Sequence, residues 1–338
     1  MQRVLERLDE LYAIGGGPGA NRPFGSAGED EAHRLVAAWM REAGLRVEVD
    51  ADANLIGRAS RRPDIWVGSH LDSVPHGGRL DGALGVVAAL EAVAAAGAGS
   101  VVAFRGEEVG CVGSRALVAR GGPFPSAFLE LHIEQGPRLA QADAPLAVVT
   151  AIVAVARGEI VVEGRAGHAG TTPMGGREDA LVRAAERILQ IREIAGEIDG
   201  AVATVGRIEV EPGAANVIPE RATLTVDARA PDVQRLERLL GALELEPTYL
   251  TAPVEMAPQL RSLFRDEVAA RGLPVVELPS GAGHDAGVLA GAGVPSAMLF
   301  VRSLAGGISH SPEEHSSPDD MAFALEVLTS ALARVTQR

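Results

Sequence analysis

The stretch from Gly68 to Leu90, GSHLDSVPHGGRLDGALGVVAAL, carries the residues with the clearest chemical potential. His70 and Asp72 have the spacing of a metal-binding imidazole and an acidic neighbour that orients it. Asp81 can offer a carboxylate to the same ion. An isolated His-x-Asp is usually a surface feature, but further ligand types follow downstream. The stretch therefore predicts a metal site.

The remaining candidates for the site end a predicted strand, follow one or lie in a glycine loop: His132, then Glu107 and Glu108, and His310. Five residues can hold two ions with Asp81 as the bridge: His70, Asp81 and His132 for one, and Asp81, Glu108 and His310 for the other. Each ion then keeps an open position, as catalytic sites do. Glu107 is left as the proton shuttle. For an isolated Glu-Glu pair, a solvated acidic turn would be the better interpretation.

Four other histidines receive weaker interpretations. His33 is predicted to lie on the exposed face of a helix, without a role. His76 is either a support for the metal site or a solvated loop residue. His284, in the glycine loop SGAGHDAG, either lines the site or only begins a helix. His315 adds no ligand, because Pro312 disfavours the helix that a helical zinc motif would need.

Hydrophobic periodicity predicts an α/β fold around these residues. The predicted elements are a helix over 29–43 and strands over 45–49, 65–67, 101–104 and 129–133. Helix and strand alternate, which favours a mostly parallel mixed sheet with helices on both faces. The same character resumes at Pro258 with a helix, strands over 274–278 and 297–301, and a final helix from Asp319.

Between these parts the pattern changes to β-α-β-β-α-β, which is typical of a ferredoxin-like α+β domain. We expect residues 155–252 to form this domain as an insertion. The first domain is then discontinuous and comprises residues 1–154 and 253–338.

Composition narrows the possible functions. The 338 residues carry a formal net charge of −14, which argues against a nucleic-acid partner. All 31 basic residues are arginine, so Schiff-base chemistry and a P-loop lysine are excluded. Cys111 is the single cysteine and cannot form an internal disulfide, which favours a reducing compartment. Residues 1–14 predict an amphipathic helix and not a signal peptide, and no apolar run predicts a membrane span. We expect a cytoplasmic protein.

Eight segments together resemble a known group of enzymes: GSHLDSVPHGGRLDGALGV, RGEE, LELHIEQGP, GRAGHAGTTPM, VGRIEVEPGAANVIP, VDAR, SGAGHDA and GGISHSPEE. The group is the metal-dependent N-carbamoyl-L-amino acid amidohydrolase and allantoate amidohydrolase family, within the dinuclear aminoacylase-like exopeptidases. LELHIEQGP and GHAGTTPM are its most specific motifs. The family's metal ligands fall on the five residues chosen above, and its catalytic base falls on Glu107.

The resemblance also implies roles that spacing does not supply. The inserted domain would be a lid and dimerisation module of a homodimer. The substrate, a small anionic ureido or carbamoyl amino acid, would be bound by His168, Asn216, Arg229 and Gln135. His284 completes our predicted substrate contacts. Without the resemblance, His168 would be assigned as a loop residue that caps Thr171 or Thr172.

The implied reaction is hydrolysis of the carbamoyl C–N bond by a metal-bridging hydroxide, with Glu107 as general base and His168 holding the oxyanion. His and carboxylate ligands suit zinc, manganese and cobalt alike. Allantoate, a dipeptide or an N-acyl amino acid are rival substrates. From a different class, a non-catalytic ureide-binding protein is the remaining alternative.

The chain is also shorter than the family's usual members, chiefly between Ser114 and Leu129, which affects the shape of the pocket.

Overall fold

A computed structural model describes residues 1–59 and 64–337. It divides the chain into two compact units. The first unit consists of Met1–Ala151 and Glu255–Arg338, and the second of Ile152–Val254.

The helices and strands follow one another along both units. The helices are α1 (Gln2–Ala13), α2 (Ala27–Glu42), α3 (Ala83–Ala96), α4 (Val112–Ala119), α5 (Arg138–Gln141), α6 (Ala180–Gly196), α7 (Val233–Leu243), α8 (Pro258–Ala270), α9 (Asp285–Gly291) and α10 (Pro318–Thr336). The strands are β1 (Arg46–Val49), β2 (Leu55–Arg58), β3 (Ile65–His70), β4 (Ser100–Phe104), β5 (Ala127–Ile133), β6 (Leu146–Ile152), β7 (Ala154–Glu163), β8 (Gly167–His168), β9 (Val202–Glu211), β10 (Val217–Ile218), β11 (Arg221–Ala230), β12 (Pro247–Thr251), β13 (Val254–Glu255), β14 (Val276–Ser280) and β15 (Ser296–Val301).

The first unit is built on one mixed sheet with the strand order β1-β2-β4-β3-β5-β15-β6-β13, and β14 pairs with β6. Its centre is parallel, because β3 pairs in parallel with β4 and β5, and β5 with β15. The flanking pairs β1–β2, β2–β4 and β6–β15 are antiparallel. Every residue of the four central strands is buried, as expected for parallel strands covered on both faces. The predicted mostly parallel mixed sheet is confirmed.

Helix α3 occupies the centre of the first unit's apolar core. Ten of its residues are buried, and it packs against β3, β5 and α10. Helix α1 covers it with Val4, Leu8 and Leu11, whose helical spacing gives one apolar face. The core therefore fixes the sheet edge from which the loops after β3, β4 and β5 emerge.

The second unit contains a four-stranded antiparallel sheet in the order β12-β7-β11-β9, with α6 and α7 packed on it. The order of its main elements is the β-α-β-β-α-β order predicted above. Alternate residues of β11 are buried and meet Leu239 and Leu243 of α7 in a separate apolar core. The short strands β8 and β10 form an additional antiparallel pair.

The predicted exposed position of His33 is wrong. Its side chain is buried, because α2 packs against both β1 and β2 and buries a wider face than its apolar residues indicate. Burial, helped by the charge of Arg105, lowers the pKa of His33 to about 3. His33 is therefore a neutral core residue.

Candidate active site

The predicted metal ligands meet at one edge of the central sheet. His70 is the last residue of β3, Glu107 and Glu108 follow β4, and His132 lies near the end of β5. His310 follows β15, after a short 3-10 turn over Ala305–Gly307. These four strands run in the same direction, so their carboxyl ends share one edge, which is where α/β sheets bind ligands.

Three groups of side chains there have the composition and spacing of metal sites, and within each the ligand atoms lie within 4.8 Å of one another. One of them, Glu130, His132 and His284, includes two residues that the sequence did not predict as ligands. The other two groups consist of predicted ligands: His70, Asp81 and His132 in the first, and Asp81, Glu108 and His310 in the second. Asp81 belongs to both groups and divides its oxygens between them. Its Oδ1 lies 3.2 Å from His132 Nε2 and 3.6 Å from His70 Nε2, and its Oδ2 lies 3.4 Å from His310 Nε2. This is the arrangement that a bridging carboxylate requires.

The tautomers of the two buried histidines also fit a metal site. His70 Nδ1 lies 3.1 Å from the carbonyl oxygen of Asp72, and His132 Nδ1 lies 2.9 Å from that of Ile133. In the neutral ring each Nδ1 carries the proton and donates it, which leaves a lone pair on Nε2. Both Nε2 atoms are buried and have no hydrogen-bond partner among the described residues. Metal-ligating histidines are held in this way through their second nitrogen.

Asp72 organises the loops around His70. Its two oxygens accept the main-chain N–H groups of Glu107 and Glu108, each at 3.1 Å, and its Oδ1 lies 3.3 Å from His70 Nδ1. Burial opposes ionisation of Asp72, but His70 and the two amides hold its pKa below the usual value. The predicted orienting carboxylate therefore also fixes the Glu-Glu pair, whose side chains take different directions.

Gly82 is needed beside Asp81 for two reasons. Its φ is +62°, in the left-handed region that side chains disfavour. A Cβ atom there would also lie about 2.5 Å from the ring of His70. A larger residue would displace the imidazole from Asp81.

Glu107 lies beside His70 of the first group and is almost enclosed, with 9% of its side chain exposed. Its Oε2 lies 3.8 Å from His70 Nε2, and its Oε1 lies 3.4 Å from His284 Nδ1. Burial raises the pKa of Glu107 well above the usual value for a carboxyl group. A carboxyl group whose pKa is shifted towards neutrality can both accept and return a proton near pH 7.

Nearby carboxylates hold His70 and His132 in the protonated form in the absence of metal ions. Burial opposes a charge on His132, but Asp81 raises its pKa to about 9. Burial likewise opposes a charge on His70, yet nearby carboxylates, Glu107 foremost, raise its pKa well above the usual value. An ion that binds to these histidines must therefore displace their protons.

The second group is more open than the first. Half of the His310 side chain is exposed, and its Nε2 lies 3.2 Å from Glu108 Oε2. Glu108 Oε1 is buried and has no hydrogen-bond partner in the described part of the chain. Gln135, predicted to contact substrate, donates through Nε2 to Asp81 Oδ2 at 2.8 Å. It therefore lies at the edge of this open group.

His284 lies at the inner end of the site and is 2% exposed. Its ring packs edge-on against His132 and Phe300, and its Nε2 lies 2.9 Å from the hydroxyl of Ser280. Burial lowers the pKa of His284 well below the usual value, so the ring is neutral. His284 thus borders Glu107 in the structure. His76, by contrast, is exposed, and its Nδ1 lies 2.9 Å from the carbonyl oxygen of Pro18.

The other predicted substrate contacts lie in the second unit, where the β8–β10 pair brings two of them together. Ala169 donates its main-chain N–H to the carbonyl of Asn216. His168 Nδ1 accepts the N–H of Gly170 at 3.0 Å, so a neutral ring keeps its proton on Nε2, available as a donor. Arg229, on β11, pairs with Asp227 through Nε at 2.7 Å. Its guanidinium plane is thereby held in a fixed direction.

Several buried polar residues of the site region were not predicted. Glu130 accepts from the Ser69 hydroxyl at 2.8 Å, and Asp285 accepts from Ser114 at 2.6 Å. Glu130 stands two residues before His132 on β5, so the alternation of a strand could have placed both on one face. Arg22 and Glu314 carry no such local signal. The buried Arg22 donates to the carbonyls of Leu71 and Leu11, and Glu314 accepts the main-chain N–H of Asp81.

Residues 66–334 match the family model of Peptidase family M20/M25/M40, and the chain belongs to this family. The family predicted from the motifs is confirmed.

Individual proteins show which kinds of family member this chain resembles. The chain is 36% identical to the N-carbamoyl-L-amino acid amidohydrolase of Geobacillus stearothermophilus, covering 99% of this chain and 98% of that protein. It is 32% identical to the allantoate amidohydrolase of Bacillus subtilis, covering 90% of each. A crystal structure of a hydantoinase/carbamoylase family amidase from Burkholderia multivorans matches with a TM-score of 0.90 at 29% identity, covering 100% of this chain and 98% of that chain.

The alignment with one bacterial relative contains gaps in this chain. The alignment with the Geobacillus enzyme extends over 405 positions, whereas this chain has 338 residues.

Within the described residues, no helix is long and apolar enough to cross a membrane.

Proposed function

We propose that this protein is a metal-dependent amidohydrolase that cleaves the carbamoyl C–N bond of an N-carbamoyl-L-amino acid. The observation that carries the proposal is the division of the Asp81 oxygens between two ligand groups beside the buried Glu107. The similarity to the Geobacillus enzyme supports the same substrate class.

Two divalent ions per chain would be held by His70, Asp81, Glu108, His132 and His310. Ions held there would supply Lewis-acid activation of the attacking water and of the carbamoyl oxygen. Their donor set of imidazole and carboxylate suits zinc, manganese or cobalt.

Glu107 is the proposed general base. It accepts a proton from the water that adds to the carbamoyl carbon, and it returns the proton to the nitrogen that leaves. Its enclosed position excludes competing solvent. The bond from the carbamoyl carbon to the amino nitrogen breaks, and the products are the free amino acid and carbamic acid, which decomposes to ammonia and carbon dioxide.

The proposed substrate contacts are Gln135, His168, Asn216 and Arg229, with His284 next to the base. A planar guanidinium such as that of Arg229 matches a carboxylate with two parallel hydrogen bonds. The Nε2 proton of His168 suits the stabilisation of an oxyanion. We further propose that the chain forms a homodimer through the second unit, which would act as a lid.

Allantoate is the second candidate substrate, and the 32% identity to the Bacillus subtilis enzyme favours it over dipeptides and N-acyl amino acids. Allantoate also presents a carboxylate and a ureido group, so the same contacts would serve. A non-catalytic ureide-binding protein is disfavoured, because such a protein has no need to keep Glu107 and all five ligand side chains.

The test is a hydrolysis panel. Protein stripped of metal and reloaded separately with zinc, manganese or cobalt is given N-carbamoyl-L-amino acids, their D enantiomers, allantoate, dipeptides and N-acetyl amino acids. We expect release of ammonia and free amino acid from the L-carbamoyl substrates, and none from the D enantiomers. Preferential hydrolysis of allantoate supports the second candidate, and hydrolysis of dipeptides alone contradicts the proposal.

A further inference from the structure

Glu314 is a buried carboxylate that connects two segments distant in sequence. Its side chain is only 6% exposed, although it lies in the loop before α10. Oε1 accepts the main-chain N–H groups of Leu80 at 2.8 Å and Asp81 at 3.0 Å. Oε2 accepts the hydroxyl of Ser309 at 2.8 Å. One side chain thus fixes the backbone at Asp81 and the residue that precedes His310.

Ser309 completes the connection. Its hydroxyl oxygen also lies 3.1 Å from Asp81 Oδ2, the oxygen that faces His310. The single hydroxyl proton is therefore placed between two carboxylate oxygens, one from Glu314 and one from Asp81. These contacts join residues 228 positions apart in the chain.

The location of the Glu314 carboxylate is also fixed by close packing. A Cβ atom added to Gly78 would lie 2.0 Å from Glu314 Cδ. Such a separation is far below van der Waals contact, so a side chain at position 78 would displace the carboxylate. Gly78 therefore gives an independent way to disturb the same interaction.

Asp81 belongs to both ligand groups, but the two histidines of the buried group are supported without Glu314. His70 and His132 are held through Nδ1 by the carbonyls of Asp72 and Ile133, and neither contact involves Glu314. From this difference we propose that Glu314 is a positioning residue for the half-exposed ion site of Asp81 Oδ2, Glu108 and His310, and not for the buried one. The inference rests on the two-ion site of the proposed function.

The experiment compares zinc binding by the full-length wild type, Glu314→Ala and Glu313→Ala. Glu313 is the matched control, since it is adjacent and exposed, and its side chain makes no hydrogen bond or ion pair within the described residues. Bound zinc is counted after equilibrium dialysis against buffered free zinc, which does not depend on activity. We expect two ions in wild type and Glu313→Ala. In Glu314→Ala one ion should bind as in wild type and the other about 10- to 100-fold more weakly.

Two further variants keep the test decisive if Glu314→Ala fails to fold. Gly78→Ala should weaken the same ion by displacing Glu314, and Ser309→Ala should weaken it by removing the bridging hydroxyl. Adding Gly78→Ala to Glu314→Ala should cost little more, because both changes act through one contact.

The inference is overturned if Glu314→Ala binds both ions with wild-type affinity. If Glu314→Ala does not fold, the inference is overturned when Gly78→Ala and Ser309→Ala both bind the two ions with wild-type affinity. Equal weakening of both ions also overturns it, because it indicates a general structural role. A wild type that binds fewer than two ions contradicts the two-ion proposal itself, and the inference with it.

Discussion

His284 Nδ1 lies 3.4 Å from Glu107 Oε1, and neither side chain is more than a tenth exposed. Ser280 contacts the other ring nitrogen, and His132 and Phe300 pack against the ring. The imidazole therefore has little freedom to turn away from the proposed base.

This contact leads to the first prediction. His284→Phe retains a ring of similar size but removes the polar contact with Glu107. We expect kcat to fall about 10- to 100-fold, the usual effect of a residue that supports an active group, with KM close to wild type. Ser280→Ala should act in the same direction and less strongly. A raised KM with unchanged kcat would instead assign His284 to substrate binding, the role predicted for it from the sequence.

The second prediction separates two adjacent carboxylates. Glu107→Gln should retain both metal ions but lose about 10² to 10⁴ in kcat, the usual contribution of a general base. Glu108→Gln should lose the ion shared with His310, measured by metal analysis. If Glu107→Gln lost the ion and Glu108→Gln retained it, the two assignments would have to be exchanged.

The third prediction concerns Arg229. Lysine cannot reproduce the planar fork of an arginine, so Arg229→Lys should weaken substrate binding by about 1.5–3 kcal/mol. Steady-state KM for an N-carbamoyl-L-amino acid measures this, and Arg157→Lys serves as a control, because Arg157 pairs with the same Asp227 from β7. Unchanged kinetics in Arg229→Lys would place the carboxylate site elsewhere, such as the main chain of Gly306–Gly307.

The fourth prediction follows from the raised histidine pKa values. His132, with a pKa of about 9, and His70 are protonated in metal-free protein near neutrality, and an ion can bind only after these protons leave. Metal binding should therefore release protons, and its affinity should increase as the pH rises towards the pKa of His132. Calorimetry in two buffers of different ionisation enthalpy measures the number released. Identical observed heats in both buffers would mean that no proton leaves.

The sequence predicted the sheet and the meeting of the candidate ligands for the same reason. Apolar runs mark buried strands, and His70, Glu107, Glu108 and His132 come at or just after the ends of three of them. Because parallel strands end at a common edge, their order in the chain was enough to bring these residues together.

Other features escaped prediction because they depend on distant contacts. His33 appeared exposed because its burial results from the packing of α2 against β1 and β2. Glu314 gave no local signal, since its partner Leu80 lies 234 residues earlier. Glu130 was overlooked although its spacing from His132 places both on one face of β5.

The most direct test of the two-ion account is a metal titration of stripped protein in which bound ions and hydrolysis of an N-carbamoyl-L-amino acid are measured on the same samples. The proposed bridging by Asp81 predicts that activity approaches its maximum only as binding approaches two ions per chain. Chelation should abolish activity, and added metal should restore it. Full activity with one tightly bound ion would contradict the bridging role of Asp81, and full activity without metal would contradict the account as a whole.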